Sequence, residues 1–231
     1  MSTDDEETPG KIVIAGTGRA GTTLLVQVLT DLGLDTGFSP TEPIDPRVNA
    51  GLEHALVGEG TPRIVKSPHL SRKLGAMLDD GLVRIDHVII PIRDLEIAAA
   101  SRVRNTKYGR DLHTWGGLHE TNRATRQEEA LARTLADLLF TIARHDLDHT
   151  LLLFPRFAAD ASYLHDKLSF LAPEIPAERW QAVLSARADP TLIHERLLSA
   201  TERRLTVMGT MYNRVIARPL RGVRKLFRGA E

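Results

Sequence analysis

The residues best suited to chemistry lie in Gly16-Thr17-Gly18-Arg19-Ala20-Gly21-Thr22-Thr23. The short apolar run Ile12-Val13-Ile14-Ala15 precedes them, and Leu24, Leu25, Val28, Leu29 and Leu32 follow on one helical stripe. This order reads as strand, glycine-rich turn and helix. Glycines let the backbone curl so that successive N–H groups point at one place. The start of the helix adds unpaired N–H groups and a partial positive charge. Such a turn is a seat for an anion.

The spacing fits more than one anion. Gly16 and Gly21 are placed as in the nucleotide-triphosphate loop GxxxxGK followed by Ser or Thr, but Thr22 stands where the lysine belongs. Without that lysine the loop lacks the charge that reaches the terminal phosphates, which weakens a kinase or ATPase reading. Gly16-x-Gly18-x-x-Gly21 also spells a dinucleotide fingerprint, but Lys66 occupies the end of the second predicted strand, where that site needs an acid.

Gly-Thr-Gly-Arg-Ala-Gly-Thr-Thr-Leu-Leu resembles the 5′-phosphosulfate loop of sulfotransferases that use 3′-phosphoadenosine-5′-phosphosulfate (PAPS). The resemblance implies that the turn amides of Gly18, Ala20 and Gly21 and the hydroxyls of Thr22 and Thr23 hold the 5′-phosphate. Arg19 would reach the sulfuryl group. The family carries a second motif after a later strand, an arginine followed eight residues on by a serine. Ile89-Ile90-Pro91-Ile92-Arg93-Asp94-Leu95 and Ser101-Arg102 match it, with Leu95 in place of the common proline. By resemblance Arg93 and Ser101 hold the 3′-phosphate, and an arginine fork suits a dianionic phosphate. Ile64-Val65-Lys66-Ser67-Pro68 resembles a Lys-x-Pro strand end of bacterial and Golgi-type members, which places Lys66 beside Arg19 at the transferring group. The resemblance spans about residues 11–172. The usual tyrosine-glutamate pair after the late strand is replaced by Phe154-Pro155-Arg156, and no C-terminal glycine-rich clamp is recognisable.

Sulfuryl transfer to a hydroxyl needs a group that takes the acceptor's proton. Related families use a glutamate in the loop after the first helix or a histidine after the second strand. Glu42, between Pro40 and Pro43, is the first candidate and His69 the second; Asp45, His113 and His119 follow. The loop 105–119, with Lys107, Tyr108, Arg110, His113 and Trp115, is expected to line the acceptor site. The acceptor is expected to be a hydroxyl on a glycan, lipid or secondary metabolite. The released nucleotide is 3′,5′-adenosine bisphosphate (PAP), and no metal is expected.

The elements that must position these residues alternate between strand and helix. Strands are expected at 12–15, 63–66, 85–92 and 150–154. Helices are expected from Leu24, at 48–57 and 71–78, from Asp94 as N-cap to about Arg104, and at 125–145. Ile85–Ile92 ends in the apolar run Val88–Ile92, as in strands covered on both faces. The pattern predicts an α/β fold, three-layer α/β/α around a central parallel sheet, P-loop NTPase-like by resemblance, with a helix-rich C-terminal half.

With 231 residues, 42% of them hydrophobic, the chain reads as a disordered tail at 1–9 and one domain at 10–231. It has no cysteine, which excludes disulfides and thiolate chemistry. The acidic N-terminus is unlike a signal peptide, no apolar stretch is long enough to span a membrane, and a cytoplasmic location is expected. The formal net charge is zero, so bulk charge gives no case for nucleic acid. Arg214–Arg228 is basic with no acid and can meet acidic lipids or cover the nucleotide, but a solvated helix face is the commoner outcome. Two alternatives remain: a small-molecule kinase using ATP and magnesium, and a homologue that binds nucleotide without catalysis.

Overall fold

Successive side chains on a strand point to opposite faces, and this chain has runs with apolar residues on both. In the computed structural model, which describes residues 9–44, 51–67, 71, 73–106, 117–121, 123–190, 199, 201 and 204, four such runs form one sheet. They are β1 (Lys11–Ile14), β2 (Ile64–Lys66), β3 (Ile85–Ile92) and β4 (His149–Leu153), in the order β2-β1-β3-β4. All pairings are parallel: Val13 lies opposite Val65 and Val88, and Ile90 opposite Leu151. Parallel neighbours need crossovers, which bring helices onto the faces of the sheet.

Ile12, Ile14, Ile64, Ile89 and Leu152 project into one core. It is closed by α1 (Thr22–Asp31), α5 (Arg156–Ala159), α6 (Ala161–Leu168) and α7 (Ala177–Arg187), through Leu25, Leu29, Phe157, Leu164 and Trp180. Val13, Ala15, Val65, Val88 and Ile90 project the other way. There α2 (Leu74–Asp79) brings Leu74, and the second half of α4 (Gln127–Arg144) brings Leu138 and Ile142. The result is an α/β fold with an all-parallel sheet between two helical layers.

Pro91 sits inside β3, although proline cannot donate to a ladder. The hydrogen bonds explain it. Ala15 N–H donates to the Ile89 carbonyl, so odd-numbered residues of β3 face β1; Phe154 N–H donates to the Ile92 carbonyl, so even ones face β4. The N–H that Pro91 lacks would therefore point toward the chain just past Ile14, outside β1 itself.

The chain divides into two compact units, Met1–Arg93 with Arg133–Ile193, and Asp94–Ala132 with His194–Glu231. The first holds the sheet. In the second, α3 (Leu95–Asn105) is capped as expected, with the Asp94 carboxylate accepting from Ile97 N–H at 3.0 Å. Glu96 in its first turn and Arg102 and Arg104 in its last complement the helix dipole. Ala98, Ala99 and Leu131 form the small core of this unit.

One expected element differs. The segment 51–57 is not helical. Gly51 has φ 130° and Leu52 has φ 58°, backbone values that break a helix, while the Leu52 side chain is buried in the first core. The rest of that expected helix, 48–50, lies outside the described residues, as does 107–116 of the expected acceptor loop.

Helix α4 supplies a direct check. Leu138 is 0% exposed and Phe140, two residues on, is 69% exposed. Leu138→Ala is expected to lower stability by about 2–5 kcal/mol, and Phe140→Ser to change it by less than about 0.5 kcal/mol, in urea unfolding.

Candidate functional site

A parallel sheet delivers all its strands to one edge, and the strand order reverses beside β1: β2 lies on one flank and β3 on the other. In open α/β sheets, ligands bind outside the strand C-termini at such a switch point. Four features meet here: the turn after β1, Lys66 ending β2, Arg93 just past β3 and Phe154 just past β4.

The turn is built from left-handed backbone. Gly18, Arg19 and Gly21 have φ of 66°, 57° and 73°. For Arg19 this conformation costs about 1–2 kcal/mol relative to glycine. Gly21 is the N-cap of α1, gives it no side-chain cap, and no acidic residue stands in the first turn. The helix thus opens with its N–H groups directed at the turn and no carboxylate of its own to compensate them. Thr22 and Thr23 are buried, and Arg19 is half-buried.

The glycines also permit close approach. A Cβ on Gly21 would stand 2.6 Å from Phe154 Cδ2 and 2.8 Å from Phe157 Cζ; one on Gly16 would stand 3.3 Å from the Pro91 carbonyl oxygen. Arg93 is buried, donates from Nη1 to the Arg19 carbonyl at 3.0 Å, and lies over the Phe154 ring with 5.1 Å from Cζ to the centroid. Arg93 therefore ties the end of β3 to the turn after β1 by a charge-assisted hydrogen bond. Ser71 adds a longer bond, Oγ to the Gly16 carbonyl at 3.4 Å.

Lys66 is 2% exposed. Its ammonium donates to Thr23 Oγ1 at 3.1 Å and to the Gly51 carbonyl, and stands 3.4 Å from Glu53 Oε1. Burial pushes the ammonium below the ordinary lysine range; Glu53 opposes this, and the positive charge of Arg19 adds to it. Arg19 and Lys66 are thus close enough to repel, and an anion on the turn would relieve that repulsion.

Glu42 is exposed, on a turn where its N–H donates to the Ser39 carbonyl and its carboxylate accepts from Ser39 Oγ at 3.4 Å. Arg187 anchors that turn, bonding the Asp31 carboxylate at 2.5 and 2.7 Å and the Pro40 carbonyl at 2.7 Å. Ser101 is buried on α3 in the second unit. His119 is buried in that unit too, its backbone clasped by Gln127 through bonds of 2.7 and 3.0 Å. His69, Asp45, His113 and the basic segment Arg214–Arg228 lie outside the described residues. A cavity of about 300 Å³ opens at the opposite edge of the sheet, by Ile12, Ile64, His87 and Phe170, and contains none of the predicted site residues.

Among the described residues, no group of three or more His, Asp or Glu is arranged to hold a metal ion, and no helix is long and apolar enough to cross a membrane. No family model, no curated protein and no solved structure matches this chain.

Two contacts at the site, Glu53 with Lys66 and Phe154 with the turn, have no counterpart in the sequence reading. Glu53 lies 13 positions before Lys66 in a stretch that reads as helix, so no local pattern signals the pair. Phe154 follows an apolar strand as Arg93 does, and that parallel position is the signal that marks it.

The contact between Gly21 and Phe154 is testable. Gly21→Ala meets both the positive φ and the ring, and is expected to lower stability by about 2–4 kcal/mol in urea unfolding. Phe154→Leu in the same chain is expected to recover part of the loss; a Gly21→Ala cost under about 0.5 kcal/mol would contradict the packing.

Proposed function

We propose that this protein is a sulfotransferase of the P-loop type that moves a sulfuryl group from PAPS to an acceptor hydroxyl. The observation that carries the reading is the convergence of Arg19, Lys66 and Arg93 on an uncapped helix start at the switch point of the sheet. The left-handed turn, the two buried threonines and the helix amides suit a 5′-phosphate. By the resemblance, the eight-residue spacing of Arg93 and Ser101 in the sequence points to a nucleotide with a 3′-phosphate.

In the proposed reaction the acceptor oxygen attacks sulfur in line. A new S–O bond forms, the bond from sulfur to the 5′-phosphate oxygen breaks, and PAP leaves. The acceptor's proton goes to Glu42, with His69 as the alternative base. Arg19 and Lys66 stabilise the charge that builds on the transferring group and the leaving phosphate. Arg93 and the turn hold the nucleotide so that the acceptor meets sulfur in one orientation. The acceptor is a hydroxyl of a glycan, lipid or secondary metabolite.

Thermal unfolding separates this from the kinase reading. PAP at about 100 times its dissociation constant is expected to raise the melting temperature by about 5–10 °C. ADP with magnesium is expected to do less; stabilisation by ADP with magnesium alone overturns the proposal. Arg93→Ala is expected to weaken PAP by about tenfold more than it weakens 5′-AMP, because a charged hydrogen bond to the 3′-phosphate is lost in addition to its tie to the turn.

A further inference from the structure

Lys66 is held more firmly than a strand-end lysine needs to be. Its ammonium has three N–H groups and three oxygens around it: Thr23 Oγ1, the Gly51 carbonyl and Glu53 Oε1. Two of the three come from one short segment, 51–53. That segment is fixed by Leu52, whose side chain is buried in the core beneath α1 while its backbone keeps φ 58°. A left-handed leucine is unfavourable by itself. Here it sends the Leu52 side chain into the core while the Gly51 carbonyl and the Glu53 carboxylate both reach Lys66.

We propose that Glu53 is a positioning residue of the anion seat: with the Gly51 carbonyl it holds the Lys66 ammonium charged and turned toward Thr23 at the start of α1. This rests on the donor reading above only for the identity of the anion. The charged groups acting on Lys66 are Glu53 and Arg19, and they act in opposite senses. A buried amine beside an arginine sheds its proton readily unless a carboxylate opposes that loss. A neutral Lys66 would still fill its space but would no longer attract an anion. Glu53 is also the longest of the three contacts, at 3.4 Å, beyond the usual N–H···O range. It is thus the arm that yields when an anion on the turn takes a share of the ammonium. The Thr23 and Gly51 contacts then keep the group in place.

The test is a pH titration of the lysine Cε signals by carbon-13 NMR on the full chain, with Lys66 assigned through its loss in Lys66→Met. Glu53→Gln is expected to move the Lys66 midpoint down by about one pH unit or more. Glu53→Asp, with its carboxylate drawn back by one methylene, is expected to move it less. The same proteins are then titrated calorimetrically with PAP from pH 7 upward. Glu53→Gln is expected to lose affinity at a lower pH than the wild type, by about tenfold once Lys66 is neutral. An unchanged Lys66 midpoint in Glu53→Gln overturns the inference; if that variant does not fold, an unchanged midpoint in Glu53→Asp does so. A shifted midpoint with no PAP binding at any pH supports the hold of Glu53 on Lys66 and overturns the donor reading instead.

Discussion

The candidate site depends on how closely the exit of β1 approaches the ends of β3 and β4. Backbone and ring occupy the space where side chains on Gly16 and Gly21 would stand. Parallel pairing makes this approach unavoidable, because every strand leaves the sheet at the same edge and β1 lies between two neighbours. The turn after β1 must rise without touching Pro91, bend before Phe154 and still begin a helix. Left-handed glycines satisfy all three demands, and the same curl aims the first amides of α1 at one point.

Positive charge is then concentrated where that curl points. Arg93 is buried and bonded to the turn, Arg19 rides on it in a strained conformation, and Lys66 is buried beside Thr23. For folding alone this arrangement is unfavourable: burial and Arg19 both act against the charged form of Lys66. Strain and like charge gathered around a helix start are what an anion site uses to gain affinity, since the ligand removes the repulsion that the fold maintains.

The sheet and its helices were legible because their signals are local. Ile85–Ile92 is apolar from Val88 onward and forms the strand over the same residues, and Asp94 caps α3 as its position implies. The stripe of α4 is regular enough to place the helix within two residues at its start and one at its end. The stretch 51–57 suits a helix by hydropathy, while its fold is set by Leu52 and Leu56, buried in different cores, and by the contact of Gly51 with Lys66. At the candidate site, the place of the turn, Lys66 and Arg93 at the strand ends was legible from the strand pattern. The Glu53 pairing and the Phe154 wedge were not, because each exists only once separate strands have been brought to one edge.

The most direct measurement of the central claim is a crystal structure of the protein with PAP. On the proposal, the 5′-phosphate sits on the amides of residues 18–23, with Lys66 turned toward it, and the 3′-phosphate lies within hydrogen-bonding distance of Arg93. A nucleotide seated away from the turn, or one whose 3′-phosphate makes no contact with Arg93, would contradict it.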